Sequence, residues 1–239
     1  MSKRRLNHYM RLLLVSSVLY GAKASCGVLI QNQFWQVSTG YWASQNTYID
    51  GAYQPKIPHY QTLTSIHIDG DTVISEERKF YPAGKFAASA LGLTIPADLG
   101  VELIQISRGL ADASGRRVDF KPINAYSHNQ HTWLETISAD TAVLTVTERK
   151  TGHSSYKMLL TLPNDNARIT ANLGLNSKYS ADSNELPLRG VSLFSATRIN
   201  ATQFQQRTKQ LQQDYNVGAI ITIDAQGKYQ ATLLHQANR

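Results

Sequence analysis

Two acidic residues stand among apolar ones on segments that alternate like β-strands. Glu135 falls on the same side of its strand as Trp133, and Glu102 on the same side as Ile104, because alternate strand residues share a face. A carboxyl group in apolar surroundings has a raised pKa and can act as a general acid. Glu135 and Glu102 are therefore candidates for catalysis by an isomerase, lyase or hydrolase. The commoner role of such an acid is to pair with a lysine or arginine.

Histidines give a weaker chemical signal. The spacing of His128 and His131 would offer two imidazoles to a metal ion, but a third ligand is not near them in sequence, and two ligands do not make a structural site. His235, close to the end of the last predicted strand, could ligate a haem only inside an apolar pocket. The sequence therefore predicts neither a metal site nor a cofactor.

The common catalytic motifs are missing from the sequence. It contains no Gly-x-Ser-x-Gly, no phosphate-binding glycine-rich loop, no His-Glu-x-x-His, and no cysteine other than Cys26. This disfavours the hydrolases, nucleotide enzymes and thiol enzymes that such motifs define. An active site without a motif stays open, but the sequence favours a protein that is not an enzyme.

The N-terminus has the organisation of a signal peptide. Basic residues at Lys3 to Arg5 precede an apolar run from Leu12 to Tyr20, and small residues stand at Ala22 and Ala24. The run is shorter than the roughly 20 apolar residues that a membrane-spanning helix needs. We therefore predict that residues 1–24 are a signal peptide and that the protein is periplasmic or secreted.

The only cysteine leaves two forms of the mature N-terminus open. Ala24-Ser25-Cys26 resembles a bacterial lipobox, in which Cys26 would be acylated and would anchor the protein to a membrane, although Lys23 stands where such boxes usually have an apolar residue. The alternative is an unmodified thiol close to a terminus that starts at Ser25. A single cysteine cannot form an internal disulfide.

The leader carries most of the positive charge. Five of the 24 lysines and arginines precede Ser25, so the remaining chain keeps 19 of them against 17 acidic residues, a net charge of +2. This balance gives no support for nucleic-acid binding, which favours a basic patch or stripe. Residues 25–239 have the length of one all-β domain with a sizeable core.

Most of the chain has the pattern of β-strands. β-branched and aromatic residues alternate with polar ones between short turns, which is typical of antiparallel strands joined as a meander. The predicted strands are Tyr60 to Ile68, Thr72 to Tyr81, Val101 to Ser107, Thr132 to Ile137, Ala142 to Lys150, Tyr156 to Leu162, Arg168 to Leu175, Gly190 to Ile199, Ala219 to Ile223 and Lys228 to Leu234.

One helix is predicted late in the chain. Asn200 and Gln203 form a capping box, and a narrow apolar stripe follows at spacings of four, three and four. Such a helix packs on the outside of something larger. The stripe consists of Phe204, Thr208, Leu211 and Tyr215.

These elements fit a closed up-and-down barrel of about 8–11 strands or a two-sheet sandwich. Greek-key sandwiches need long crossover connections, and the long irregular stretches are predicted only at Ala43 to His59 and Pro82 to Gly100. The spacing therefore favours the barrel.

The start of the first strand, Gly40-Tyr41-Trp42, followed by a meander and a late helix, resembles the lipocalin and wider calycin barrels. The resemblance implies that Trp42 closes one end of the barrel against an arginine from the last part of the fold, for which Arg198 is the matching position. The hairpin after the helix departs from the family pattern.

A barrel of this size implies a ligand cavity. We expect a small apolar or amphipathic ligand that is carried, stored or sequestered, with Trp133, Tyr156 and Glu135 lining the cavity. The apolar segment from Gly84 to Ile95 would be a lid or plug at its mouth or, as the less favoured alternative, a patch that contacts lipid. A catalytic barrel and a lipid-anchored envelope factor are the alternatives.

Overall fold

The computed structural model describes residues 27–50, 55–56, 60–124, 127–175, 188–224 and 226–234. The strands are β1 (Gly40–Asp50), β2 (Pro55–Lys56), β3 (Gln61–Asp69), β4 (Thr72–Tyr81), β5 (Gly100–Ala111), β6 (Arg117–Phe120), β7 (Gln130–Thr136), β8 (Thr141–Glu148), β9 (Ser154–Asn164), β10 (Ala167–Leu175), β11 (Leu188–Ile199), β12 (Val217–Ile223) and β13 (Tyr229–Leu233). The helices are α1 (Gln33–Ser38) and α2 (Ala201–Asp214), with short 3-10 helices at Val28–Gln31, Ala88–Leu91 and Ser127–Asn129.

Ten strands form a closed antiparallel barrel. From β3 to β11 each strand pairs with the next one along the chain, and β1 completes the ring between β3 and β11. β5 pairs with β4 along its length and with β6 through Gly109 to Ala111, and these three pairs close the ring. The predicted all-β, up-and-down barrel is therefore confirmed, and the sandwich alternative is wrong.

The segment before β1 covers one end of the barrel. Leu29, Phe34 and Trp35 are buried in a cluster that includes Val73 and Val118 from the strand ends of the barrel. Asn32 caps α1 by accepting a hydrogen bond from the Phe34 amide at 3.0 Å. Its side-chain amide also donates to the Gly115 carbonyl at 3.0 Å and so ties the cap to the β5–β6 turn. We call this the closed end.

Helix α2 lies against the outside of the barrel, as its narrow stripe predicts. Phe204 and Leu211 pack on Leu63 and Phe80, which are buried side chains on the outer face of β3 and β4. The Phe204 ring also lies 5.0 Å from the ring of Tyr41. Both hydrogen bonds of the predicted capping box are present.

The predicted C-terminal hairpin forms an extension of the wall. Helix α2 connects β11 to β12, which runs parallel to the first part of β5. β13 then pairs with β12 at the outer edge. Within the described part of the chain, no helix is long and apolar enough to span a membrane.

The two long stretches predicted to be irregular differ in outcome. Ala43 to His59 was expected to be a loop, and this is wrong, because β1 continues to Asp50 and β2 pairs with it. The stretch predicted at Pro82 to Gly100 contains one 3-10 helix and is otherwise irregular as far as Leu99, since Gly100 begins β5. Its Phe86, Leu93 and Ile95 pack on the inner-face cluster of β5 and β12 at the open end of the barrel.

Candidate functional site

The interior of the barrel contains a cavity of about 410 Å³. This volume lies within the range of small-molecule sites, about 300–1,000 Å³. A ten-stranded wall encloses more space than the eight-stranded wall that side chains can just fill. The apolar part of the lining comes from α1 and from strands on all sides of the ring, namely Phe34, Trp35, Ile66, Val73, Leu134, Leu144, Met158, Leu160 and Phe194.

Polar groups are interspersed in this lining. Cross-strand partners share a face, so the inward face of β4 carries Glu77 and Lys79, and that of β10 carries Arg168 and Asn172. Hydroxyl groups supply most of the remaining polar lining, from Ser44, Thr62, Thr64, Ser75, Ser107 and Thr170. The cavity wall therefore combines apolar surface with polar groups from several strands.

Trp42 and Arg198 meet at the closed end. The Trp42 side chain is fully buried, and its indole nitrogen donates to the Ser38 carbonyl at 3.0 Å. The Arg198 guanidinium lies 4.5 Å from the centre of the Trp42 ring and donates hydrogen bonds to the carbonyls of Thr39 and Val37. These contacts fix the segment that follows α1 to the end of β11.

A second arginine approaches the same ring from within the wall. The Arg168 guanidinium lies 5.0 Å from the centre of the Trp42 ring, and Arg168 lines the cavity. Burial lowers the pKa of Arg168 to about 10, while attraction to Glu77 opposes this shift and repulsion from Arg198 adds to it. Arg168 is still a cation at neutral pH.

Three buried polar atoms of the cavity wall have no hydrogen-bond partner within the described residues. They are the indole nitrogen of Trp35, the Nε of Arg168 and the side-chain oxygen of Asn172. Buried polar groups in native proteins are nearly always hydrogen-bonded, and leaving one unpaired costs about 1–3 kcal/mol. Two donors and one acceptor are therefore available to a molecule in the cavity.

An ion pair with tyrosines beside it lies inside the barrel, towards the end opposite α1, which we call the open end. The Lys79 ammonium lies 2.9 Å from a Glu77 carboxylate oxygen and 3.2 Å from the side-chain oxygen of Gln105. Burial acts to lower the pKa of Lys79, but attraction and hydrogen bonding to Glu77 outweigh it and raise the value. Burial raises the pKa of Tyr81 to about 12, despite the attraction of Lys79 for its phenolate form.

Of the three residues predicted to line the cavity, one faces inward. Tyr156 lies on the face of β9 that carries the lining residues Met158 and Leu160, and burial, followed by repulsion from Glu77, raises its pKa. Trp133 and Glu135 lie on the other face of β7 from the lining residues Thr132 and Leu134, so they point out of the barrel, and Glu135 is exposed.

Trp133 belongs to a cluster of side chains on the outer surface of the barrel. The Arg117 guanidinium lies 4.8 Å from the centre of the Trp133 ring and makes two hydrogen bonds to Asp119, at 2.8 and 3.0 Å. The His131 ring also bonds Asp119 at 2.8 Å. Hydrogen bonding to Arg117, against a smaller effect of burial, lowers the pKa of Asp119.

Glu102 is buried, but it too lies outside the cavity. Its side chain is on the outer face of β5 beneath α2, where one carboxylate oxygen accepts from Arg78 at 3.0 Å and the other from Gln212 at 2.7 Å. Neither of the two acids suggested for catalysis therefore reaches the barrel interior. The role of Glu102 seen here is to join α2 to the barrel wall.

Several sequence-based predictions concern residues that the structure does not describe. Cys26, His235 and residues 1–24 lie outside the described residues. Among the described residues, no group of three or more histidines, cysteines and acids is placed to hold a metal ion.

Sequence reasoning missed the interior charges. Glu77 and Lys79 share one face of β4, and Arg168 begins an alternating segment, but each looks like an ordinary surface residue in sequence. The available signal was that Thr62, Thr64 and Ile66 face the same side as their partners Lys79, Glu77 and Ser75. That signal needs the strand register, which the sequence does not supply.

Comparison with known proteins gives matches among solved structures only. The sequence matches no family model and no curated protein. Among solved structures, the fold of this chain is similar to that of the S-type phycobiliprotein lyase CPES from Guillardia theta. The identity is 10% over 72% of this chain and 93% of that chain, and the TM-score is 0.42. It is also similar to EF1p2_mFAP2b bound to DFHBI, with 11% identity over 70% of this chain and 97% of that chain and a TM-score of 0.29.

The class of protein follows from the topology of the chain itself. A closed antiparallel meander, a tryptophan on the first strand stacked under an arginine of the last barrel strand, and a helix packed outside the wall define a calycin-like barrel. The resemblance expected from Gly40-Tyr41-Trp42 is confirmed at the level of the fold. The fold departs from the expected pattern in the β12–β13 extension that follows helix α2.

Proposed function

We propose that this protein is an exported binding barrel that holds a small amphipathic molecule in its interior for transport, storage or sequestration. The observation that carries the proposal is the cavity of about 410 Å³, whose wall contains three buried polar atoms that no described residue hydrogen-bonds. A fold does not fix a function, so the argument rests on this site.

The lining favours an amphipathic ligand over a purely apolar one. Leucine, isoleucine, phenylalanine and methionine side chains offer surface to an apolar body, and burying that surface contributes about 25 cal/mol per Å². An alkane would leave the indole of Trp35, Arg168 and Asn172 unpaired. A ligand that combines an apolar body with polar groups satisfies both sets of residues.

Two neighbouring leucines allow a sharp test of the cavity. Leu160 lines the cavity, whereas Leu159 is 44% exposed on the outer face of the same strand. Native mass spectrometry of the protein purified from its own host should show a bound small molecule in the parent and in Leu159→Trp. Leu160→Trp should lose it, because the indole fills the space.

The proposal fails if the parent protein, purified without organic solvent, never retains a small molecule. It also fails if Leu160→Trp retains the molecule as well as Leu159→Trp does. Circular dichroism should show the same strand content in both variants, so that loss of ligand in Leu160→Trp is separated from loss of fold.

The proposal includes export, which rests on the leader-like sequence of residues 1–24. Mass analysis of the mature N-terminus separates its two forms. A chain that starts at an unmodified Ser25 is a free periplasmic or secreted protein, and one that starts at an acylated Cys26 is an anchored envelope protein. Recovery of the intact leader from cells would contradict export.

A further inference from the structure

Arg168 lines the cavity without a counter-ion among the described residues. Glu77 is the carboxylate that shares the cavity with it, and Glu77 is paired with Lys79 at 2.9 Å. Arg168 takes part in none of the ion pairs found among the described residues. Burying even part of a charge is costly unless it is paired, and the half-buried Arg168 has no ion-pair partner among the described residues.

The ring of Trp42 compensates this charge only in part. A cation over an aromatic face is stabilised, but Arg198 lies over the same ring at 4.5 Å, close to the 5.0 Å of Arg168. Arg198 has carbonyl partners at Val37 and Thr39. The Nε of Arg168 has no such partner among the described residues.

A second donor without a partner lies at the same end of the barrel. The indole nitrogen of Trp35 belongs to α1, which covers the closed end, and Arg168 is the second residue of β10, which begins there. Both groups can only donate hydrogen bonds. A cation and a second donor at the same end, both without acceptors among the described residues, are suited to the oxygens of an anion.

We infer that the ligand of this cavity is an amphipathic carboxylate that binds with its acid group at the closed end, held by Arg168. The inference rests on the proposed function and adds the chemical class and the orientation of the ligand. A carboxylate brings one negative charge to the single charge of Arg168, whereas a phosphate monoester would bring about −1.5 to −2. The guanidinium fork also matches the geometry of a carboxylate.

The rest of the ligand would extend along β10 towards the mouth. Asn172 is four residues beyond Arg168 on the same inward face, which is about 13 Å at 3.3 Å per residue. Its unpaired oxygen would accept from a hydroxyl or amide group at that distance. Lys121, which lines the cavity near its mouth, adds a positive charge on the path of an approaching anion.

The test compares two probes that differ only in their head group, dodecanoate and dodecanol, by isothermal titration calorimetry. The parent protein should bind dodecanoate about tenfold to a hundredfold more tightly than dodecanol, which is the effect of one or two charge-assisted hydrogen bonds. Arg168→Met should remove this preference and leave dodecanol binding unchanged. The matched control is Arg117→Met, which removes an arginine stacked on a tryptophan on the outer face.

A measurement without ligand separates recognition from a structural role. If Arg168 is a half-buried cation whose charge no described residue pairs, Arg168→Met should not lower the thermal midpoint of the empty protein. If Arg168→Met lowers the thermal midpoint and weakens the binding of both probes equally, Arg168 has a structural role and the inference is overturned.

The inference and the proposed function can fail separately. Three results would overturn the inference that the acid group of the ligand binds at the closed end. They are equal affinity of the parent for the two probes, equal weakening of the binding of both probes by Arg168→Met, and no binding of either probe. None of these results affects the native mass spectrometry of the Leu160→Trp and Leu159→Trp pair, which tests the proposed function.

Discussion

The buried carboxylate of Glu102 should be a major determinant of stability, and its replacement tests the description of the outer face. In Glu102→Ala the Arg78 guanidinium loses a partner at 3.0 Å and the Gln212 amide loses one at 2.7 Å. Breaking a fully buried ion pair costs about 3–5 kcal/mol. Arg78 is 26% exposed and keeps Glu76 as a partner at 2.6 Å, so the full penalty does not apply.

The expected loss is therefore about 2–3 kcal/mol, the sum of one weakened ion pair and one hydrogen bond to a charged group. For a chain of this size that corresponds to a fall in Tm of roughly 4–12 °C. The measurement is urea and thermal unfolding followed by circular dichroism. In a Gln212→Ala background the effect of Glu102→Ala should be smaller, because the two residues share a contact.

The matched control is Glu135→Ala, because both acids fit the same pattern in the sequence and Glu135 is exposed. Its effect should stay within about 0.5 kcal/mol. Equal unfolding curves for the two variants would refute the placement of Glu102 beneath α2. A larger effect of Glu135→Ala would do the same.

Three further outcomes are expected. Gly40→Ala should lower the free energy of unfolding in urea by about 2–4 kcal/mol, because φ is 117° and the new Cβ would lie 2.6 Å from an arginine nitrogen. Gly92→Ala, at φ 70° in open space, should lower it by about 1 kcal/mol. Similar losses for the two variants would contradict the steric clash at Gly40. Asn200→Ala should cost about 1 kcal/mol by removing the α2 capping box, and no loss would show that the cap is dispensable. Because the pKa values of Lys79 and Tyr156 are raised, the folded chain binds their protons more tightly than the unfolded chain, so stability is present below pH 10 and is lost as pH rises above about 10. Tyr156→Phe should flatten that alkaline loss, and an unchanged slope would refute the contribution of this tyrosine.

Much of the fold could be predicted because strand and helix periodicity are local properties. The predicted strand Thr72 to Tyr81 coincides with β4, and the predicted Gly190 to Ile199 differs from β11 by two residues. The stripe of α2 depends only on the 3.6-residue repeat. β6 was missed because its four residues, Arg117–Phe120, are too short to show alternation.

The site was harder to predict because alternation defines two faces without saying which one is inside. Glu135 does share a face with Trp133, as the sequence indicates, but that face is outside, since Leu134 on the other face lines the cavity. Both faces of β7 carry large apolar residues, so hydrophobicity does not choose between them. Tyr156, which was predicted to line the cavity, lies on the inward face of β9.

The sequence by itself determined the periods of the strands and the helix, the leader-like N-terminus, and the tryptophan that lies at the closed end. Only the tertiary structure decided which charged groups face the interior and which of them are paired. Glu77 and Lys79 meet within β4, but the isolation of Arg168 depends on which strands stand around it after the ring closes. Pairing and burial are long-range properties, because they are set by strand register and closure and not by any local pattern.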